Sequence, residues 1–187
     1  MAVQLGTQGQ AGFDQPFELL IDCHRRIEHF LAVITRVVEA YGSSVLDDQA
    51  HRALHTAGVY FRESAPRHTA DEEDSLFPRL RALGGPEADE MLRGAQRLER
   101  DHTRADEMHA ELDGFLRSWV GDGRIPEHDV GRATELLGEL EALYREHIAY
   151  EDTVLFPSAS KALPEEQVRE IGREMALRRG LRVPNET

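Results

Sequence analysis

The 187-residue sequence predicts an all-α protein, an up-down-up-down four-helix bundle with a short extra C-terminal helix. Three observations carry this. Apolar residues recur at three- and four-residue steps along most of the chain. No stretch alternates with the two-residue period of a half-buried strand. Turn signals at Gly42-Ser43-Ser44, Gly84-Gly85-Pro86 and Gly121-Asp122-Gly123 cut the chain into long segments joined by short connections.

The first segment runs from about Gln15 to Tyr41. Phe17, Leu20, Ile27, Leu31, Ile34 and Val38 lie on one stripe, interrupted by one polar member, His24. The second starts at Asp47-Asp48, acids suited to a helix N-terminus, and runs to Leu83. Pro66 should kink or restart it near Ser64, because proline removes a backbone donor and clashes with the preceding turn. The third opens at Pro86-Glu87 and reaches about Val120, with Met91, Ala95, Leu98, His102, Ala105, His109, Leu112 and Leu116 on one face. The fourth opens at Pro126-Glu127 and runs past Phe156, with Leu136, Leu140, Leu143, His147, Glu151 and Val154 along its inner stripe. A fifth, Pro164 to Arg179, ends at Gly180. The organisation expected is a tail over 1–14, a bundle over 15–160 and a C-terminal helix and tail over 161–187.

Composition narrows the function. A net charge of −13 argues against a nucleic-acid or anionic-membrane partner, which would need a basic stripe. One cysteine, Cys23, excludes an internal disulfide framework and a cysteine-held iron–sulfur cluster. The first residues have neither a positive nor an apolar signal region, and no apolar run approaches a bilayer span, so a cytoplasmic protein is expected.

The chemistry lies in a repeat. Residues 68–78 read HTADEEDSLFP and residues 147–157 read HIAYEDTVLFP, the pattern H-x3-E-[ED]-x2-LFP twice, 79 positions apart. The upstream histidines His24 and His102 keep nearly the same offset, 78. Four residues on an α-helix return to within roughly 40° of one face, so each H-x3-E pair can reach one point in the core. Four imidazoles and two carboxylates converging inside a bundle suit two metal ions bridged by carboxylates.

On these residues the chain resembles the hemerythrin-like (HHE cation-binding) family of diiron proteins, over roughly residues 16–160. The resemblance implies His24, His68, Glu72, His102, His147 and Glu151 as iron ligands, Glu72 and Glu151 as bridges, and an oxo- or hydroxo-bridged diiron cofactor in preference to manganese or zinc. Oxygen-carrying hemerythrins use five histidines. The four-histidine set therefore looks closer to the bacterial branch associated with iron, nitric oxide, oxygen and peroxide chemistry, including repair-of-iron-centres proteins, whose cysteine-bearing N-terminal domain is not seen here. Counting bonds leaves about one open position per octahedral metal, which favours reactivity over storage.

The function expected is thus binding or turnover of a small oxidant (O2, NO or H2O2) in oxidative or nitrosative stress or iron handling, with peroxide- or nitric oxide-linked redox activity as the candidate reaction. The alternative is a metal-dependent sensor or adaptor whose output passes to a protein partner through the C-terminal helix. A metal-free helical interaction module is a third reading.

Other residues get blander assignments. Glu28 and Asp106 follow the lone histidines by four, but eight groups would crowd the site, so both are expected beside it or in solvent. Glu73 and Asp152, about 100° from the bridges, are expected as surface groups or histidine orienters. Cys23 reads as a small core hydrophobe; Tyr60 and Tyr144 could approach the metals from neighbouring turns, with core packing the preferred reading for both. His29, His51, His55 and His128 are expected in solvent, and His109 either in the core or lining the pocket. Leu76, Phe77, Leu155 and Phe156 of the LFP tails are expected to close one end of the site.

Overall fold

The computed structural model describes residues 12–181, and every regular element among them is helical. The elements are α1 (Pro16–Tyr41), α2 (Asp48–Glu63), α3 (Ala65–Ala70), the π-helical turn π1 (Asp71–Leu76), α4 (Phe77–Leu83), α5 (Pro86–Asp122), α6 (Glu127–Tyr150), the π-helical turn π2 (Glu151–Leu155), α7 (Phe156–Ala162) and α8 (Glu165–Arg178). Most of the tail expected over 1–14 falls outside the described residues, as do residues 182–187 of the last segment.

Local chemistry sets the boundaries. Asp47 caps α2, its carboxylate accepting from the Gln49 and Ala50 amides at 2.9 and 2.8 Å. Pro66 falls in the first turn of α3, where its missing N–H costs nothing, so the second segment breaks at Ser64 as expected. Gly123 ends α5 at φ 71°, a left-handed conformation that other residues adopt only with strain. The Leu46 amide donates to the Gly123 carbonyl at 2.9 Å, tying two loops together at one end of the bundle.

Four rods form a ring: α1 packs on α2 and α6, and α5 packs on the same two. Short connections make consecutive rods antiparallel. Outside the ring, α8 lies across α1 and π1.

The apolar interior is divided into two clusters. One holds Ile27, Leu54, Leu112, Trp119 and Leu136, and the other Leu20, Leu80, Leu98, Phe156 and Met175. Between them, in chain position on every rod, come His24, His68–Glu72, His102 and His147–Glu151. The polar groups occupy one layer, with sealed hydrophobic packing above and below.

Two expectations are corrected. Val154 is 41% exposed rather than inner, because the i→i+5 bonding of π2 adds a residue to the turn and rotates Leu155, fully buried, into its place. His51 is half-buried rather than solvated, its Nε2 2.9 Å from the Val120 carbonyl oxygen.

Candidate metal centre

The six residues singled out by the repeat are all buried and converge. They form two groups, His24 with His68, and His102 with His147, and both groups include Glu72 and Glu151. Within each group the potential ligand atoms lie within 4.8 Å of one another. Nε2 of His68 stands 3.4 Å from Glu72 Oε1, and Nε2 of His147 stands 3.2 Å from Glu151 Oε2, the i, i+4 pairs. Nε2 of His102 is 3.3 Å from Glu72 Oε2, and Nε2 of His24 is 3.0 Å from Glu151 Oε2. The two carboxylates are thus common to two imidazole pairs.

Both π turns begin at or beside the shared glutamate: Asp71–Leu76 contains Glu72 and Glu151–Leu155 starts on Glu151. A π turn widens the helix by one residue, and such insertions recur where a helix presents functional groups. The sequence signal for them is the doubled E-[ED]-x2-LFP string, whose meaning was not readable without the backbone.

The halves support each other crosswise. The carboxylate after each shared glutamate orients the lone histidine of the opposite half: His24 Nδ1 is 2.7 Å from Asp152 Oδ1, and His102 Nδ1 is 2.8 Å from Glu73 Oε1. Each Nδ1–H donates outward, which fixes the ring and turns Nε2 toward the centre. The phenylalanines of the LFP tails repeat the crossing. Phe156 stacks on His24 at 5.5 Å between centroids and Phe77 on His102 at 6.4 Å. Leu76, Phe77, Leu155 and Phe156 are all buried at this end of the site.

Electrostatics show what the cluster lacks. Burial disfavours the imidazolium of His24, yet Asp152 and Glu151 outweigh it and raise its pKa to about 10. Against the same cost, Glu72 and Glu73 raise His102 to about 9. His68 is pushed well below its ordinary value, by burial first and then by the charge on His24. Burial and the neighbouring Glu151 push the Glu72 carboxyl up to about 7. Burial also opposes charge on Glu151, but His147 and His24 hold its pKa down.

Even so, these close approaches lack hydrogen-bond geometry: the Nε2 atoms of His24 and His102 and both carboxylate oxygens of Glu72 and of Glu151 make no hydrogen bond. Six unpartnered polar atoms in one buried layer are costly unless a cation binds them. The donor set, imidazole nitrogen with carboxylate oxygen, fits a divalent or trivalent transition metal.

The remaining candidates divide clearly. Glu28 is exposed and belongs to neither group, while Asp106, also exposed, lines a cavity beside the centre. His29, His55 and His128 are exposed as expected. Cys23 is buried, and burial pushes its thiol pKa up, as suits an inert core group. The Tyr60 hydroxyl donates to the Cys23 carbonyl at 3.3 Å. His109 lines the cavity and pairs with the Tyr144 hydroxyl at 2.9 Å.

Sequence reasoning missed one buried acid. Asp71, fully buried, pairs with Arg178 at 2.9 Å and with Arg179 at 2.7 Å, anchoring α8 to the turn that carries Glu72.

The sequence model of the hemerythrin HHE cation binding domain matches residues 15–159 of this chain. The chain is also 28% identical, over 182 residues, to an uncharacterized protein of Haemophilus influenzae, covering 94% of this chain and 96% of that protein.

Proposed function

Because this chain belongs to the hemerythrin HHE cation-binding family, we propose that it is a non-haem diiron protein that binds or reacts with a small oxidant: oxygen, nitric oxide or hydrogen peroxide. His24 and His68 would hold one iron, His102 and His147 the other, and Glu72 and Glu151 would bridge them, within a unit spanning residues 15–160. The observation that carries this reading is the pair of four-residue groups sharing both glutamates. When bound, the metal pair supplies Lewis acidity and one-electron redox chemistry.

The protein's own part is to hold and isolate. Asp152 and Glu73 fix the tautomer and orientation of His24 and His102. The leucines and phenylalanines of the LFP tails exclude water from one side. The protons held by His24 and His102 must leave when a cation binds, so uptake releases protons and weakens as pH falls. A cytoplasmic role in stress response or iron handling accords with this chemistry. No helix among the described residues is long and apolar enough to cross a membrane.

The test is spectroscopic. Near-ultraviolet and visible charge-transfer bands of the iron-loaded protein should change on adding oxygen, nitric oxide or hydrogen peroxide. Bands indifferent to all three molecules would refute the reactive reading.

One observation favours the sensor alternative, the ion pairs from Arg178 and Arg179 to Asp71, adjacent to Glu72. Deleting residues 162–187 separates the two readings: turnover retained with partner binding lost supports a sensor, and loss of the centre itself supports a structural clamp.

A further inference from the structure

Two cavities meet on one side of the candidate centre. The inner one, about 30 Å3, is walled by the four histidines and by Ala105, Ile27 and Ile148. The outer one is a groove of about 330 Å3 beside α2 and α5. Phe61, Pro66, Asp106 and His109 border both, so they form the partition between them.

That partition is thin and aromatic. Phe61, in the last turn of α2 beside the break at Pro66, is half-buried and stacks on His109 with centroids 4.4 Å apart. His109 Nε2 in turn meets the Tyr144 hydroxyl at 2.9 Å, and Tyr144 also lines the inner cavity. Burial pushes His109 down to about 4 and Tyr144 upward, so the pair is uncharged at neutral pH.

The repeat does not account for these residues. By the 78- and 79-residue offsets the counterparts of His109, Phe61 and Tyr144 are Leu31, Leu140 and Ala65. Leu31 is 2% exposed and Leu140 fully buried, so the corresponding place in the other half is sealed by aliphatic packing.

We propose that Phe61, His109 and Tyr144 form a gate that admits uncharged molecules of two or three heavy atoms to the centre and sets their size limit. This rests on the diiron reading for its purpose, not for its geometry. A water needs roughly 10–15 Å3 of such space, so the inner cavity holds about two waters or one molecule of the size of oxygen, nitric oxide or hydrogen peroxide. The Asp106 carboxylate on the partition disfavours anions there. Swinging Phe61 toward the groove breaks ring contacts to the uncharged His109 and to Tyr60, which suits a gate that opens on thermal motion.

The test is stopped-flow mixing of the iron-loaded, full-length protein with nitric oxide. Phe61→Ala should raise the association and dissociation rates together, each by about 10-fold, with the equilibrium constant nearly unchanged, the signature of a gate rather than a contact to the bound molecule. Tyr144→Phe, which frees His109, should raise both by a smaller factor. Ala105→Leu should fill the inner cavity and slow association by about 10-fold or more while iron content stays the same. Unchanged rates in Phe61→Ala, or a change in only one of them, would overturn the gate; Phe61→Leu, which keeps an apolar side chain, guards against a folding defect.

A second measurement is independent of iron. In zinc-loaded protein, or in metal-free protein if no metal binds, dissolved oxygen should enhance relaxation of the Ile27 and Ile148 methyl groups, and Ala105→Leu should abolish the enhancement. Enhancement without any iron binding would refute the diiron reading and leave the cavity standing. No enhancement in the parent protein would overturn the inner cavity as an oxygen site.

Discussion

Asp71 and Tyr150 hold the same place in the two halves of the molecule, the residue before a shared glutamate, and their surroundings differ completely. Asp71 is buried under α8 and paired with Arg178 and Arg179, and Ser75, one turn on, meets Arg178 at 2.7 Å. Tyr150 instead lies against Gly94, where a Cβ would come within 2.0 Å of its hydroxyl, and beneath Arg97 at 4.7 Å from the ring centroid. The counterpart of Ser75 is Val154, which is 41% exposed. The inner faces of the two turns keep the repeat, because six groups must meet at one place. Their outer faces diverge, because only π1 is covered by α8.

Exchanges between the halves break or sharpen this contrast. The largest effect should come from the clamp: replacing both Arg178 and Arg179 with Ala leaves Asp71 buried and unpaired, at a cost of about 3–5 kcal/mol in chemical unfolding. Asp71→Asn removes the buried charge along with the pairing and should cost less. If the double arginine variant were as stable as the parent, α8 would be a passive cover.

His109→Leu copies Leu31 into the other half. A folded pKa of about 4, below the unfolded 6.5, means the unfolded chain binds more protons between these values, so His109 lowers stability as pH falls through that window. Relative to the parent, the variant should therefore gain up to roughly 3 kcal/mol on going from pH 7 to pH 4, measured by urea unfolding of both proteins. Parallel pH curves would show that His109 is not held neutral.

The crossed orienters come next. Asp152→Asn and Glu73→Gln should each weaken metal affinity by about 10- to 100-fold in competition with a chelator, and by similar factors if the two halves are equivalent around the metals. A much larger loss from one would mean that the two pairs of histidines are unequal. The smallest effect belongs to the open turn: Val154→Ser should stay within about 0.5 kcal/mol, whereas Ser75→Val, which removes a partner of Arg178, should cost about 1–3 kcal/mol.

The helices were legible because glycine and proline mark their ends, and because Pro66 breaks the second rod where its ring must. The six clustered residues were legible because a lone polar histidine on an apolar stripe becomes informative when it occurs twice at one offset. Glu73 and Asp152 were narrowed to two roles, and the structure selects orientation. The Asp71 clamp was not legible, since its partners lie 107 and 108 residues away and nothing local distinguishes Asp71 from a surface acid. The π turns were hidden for a related reason: an inserted residue leaves the apolar period almost intact, so Val154 looked as inward as Leu155. The pairing of His109 with Tyr144 depends on which faces of α5 and α6 meet, which helical periodicity alone does not fix.

The central claim, two metals shared by two halves through Glu72 and Glu151, is tested most directly by counting. Elemental analysis of the iron-loaded, full-length protein should give two irons per chain, and Glu72→Ala or Glu151→Ala should each lose both rather than one. One tightly bound ion per chain, or a Glu72→Ala protein that still holds two, would contradict a centre built on shared carboxylates.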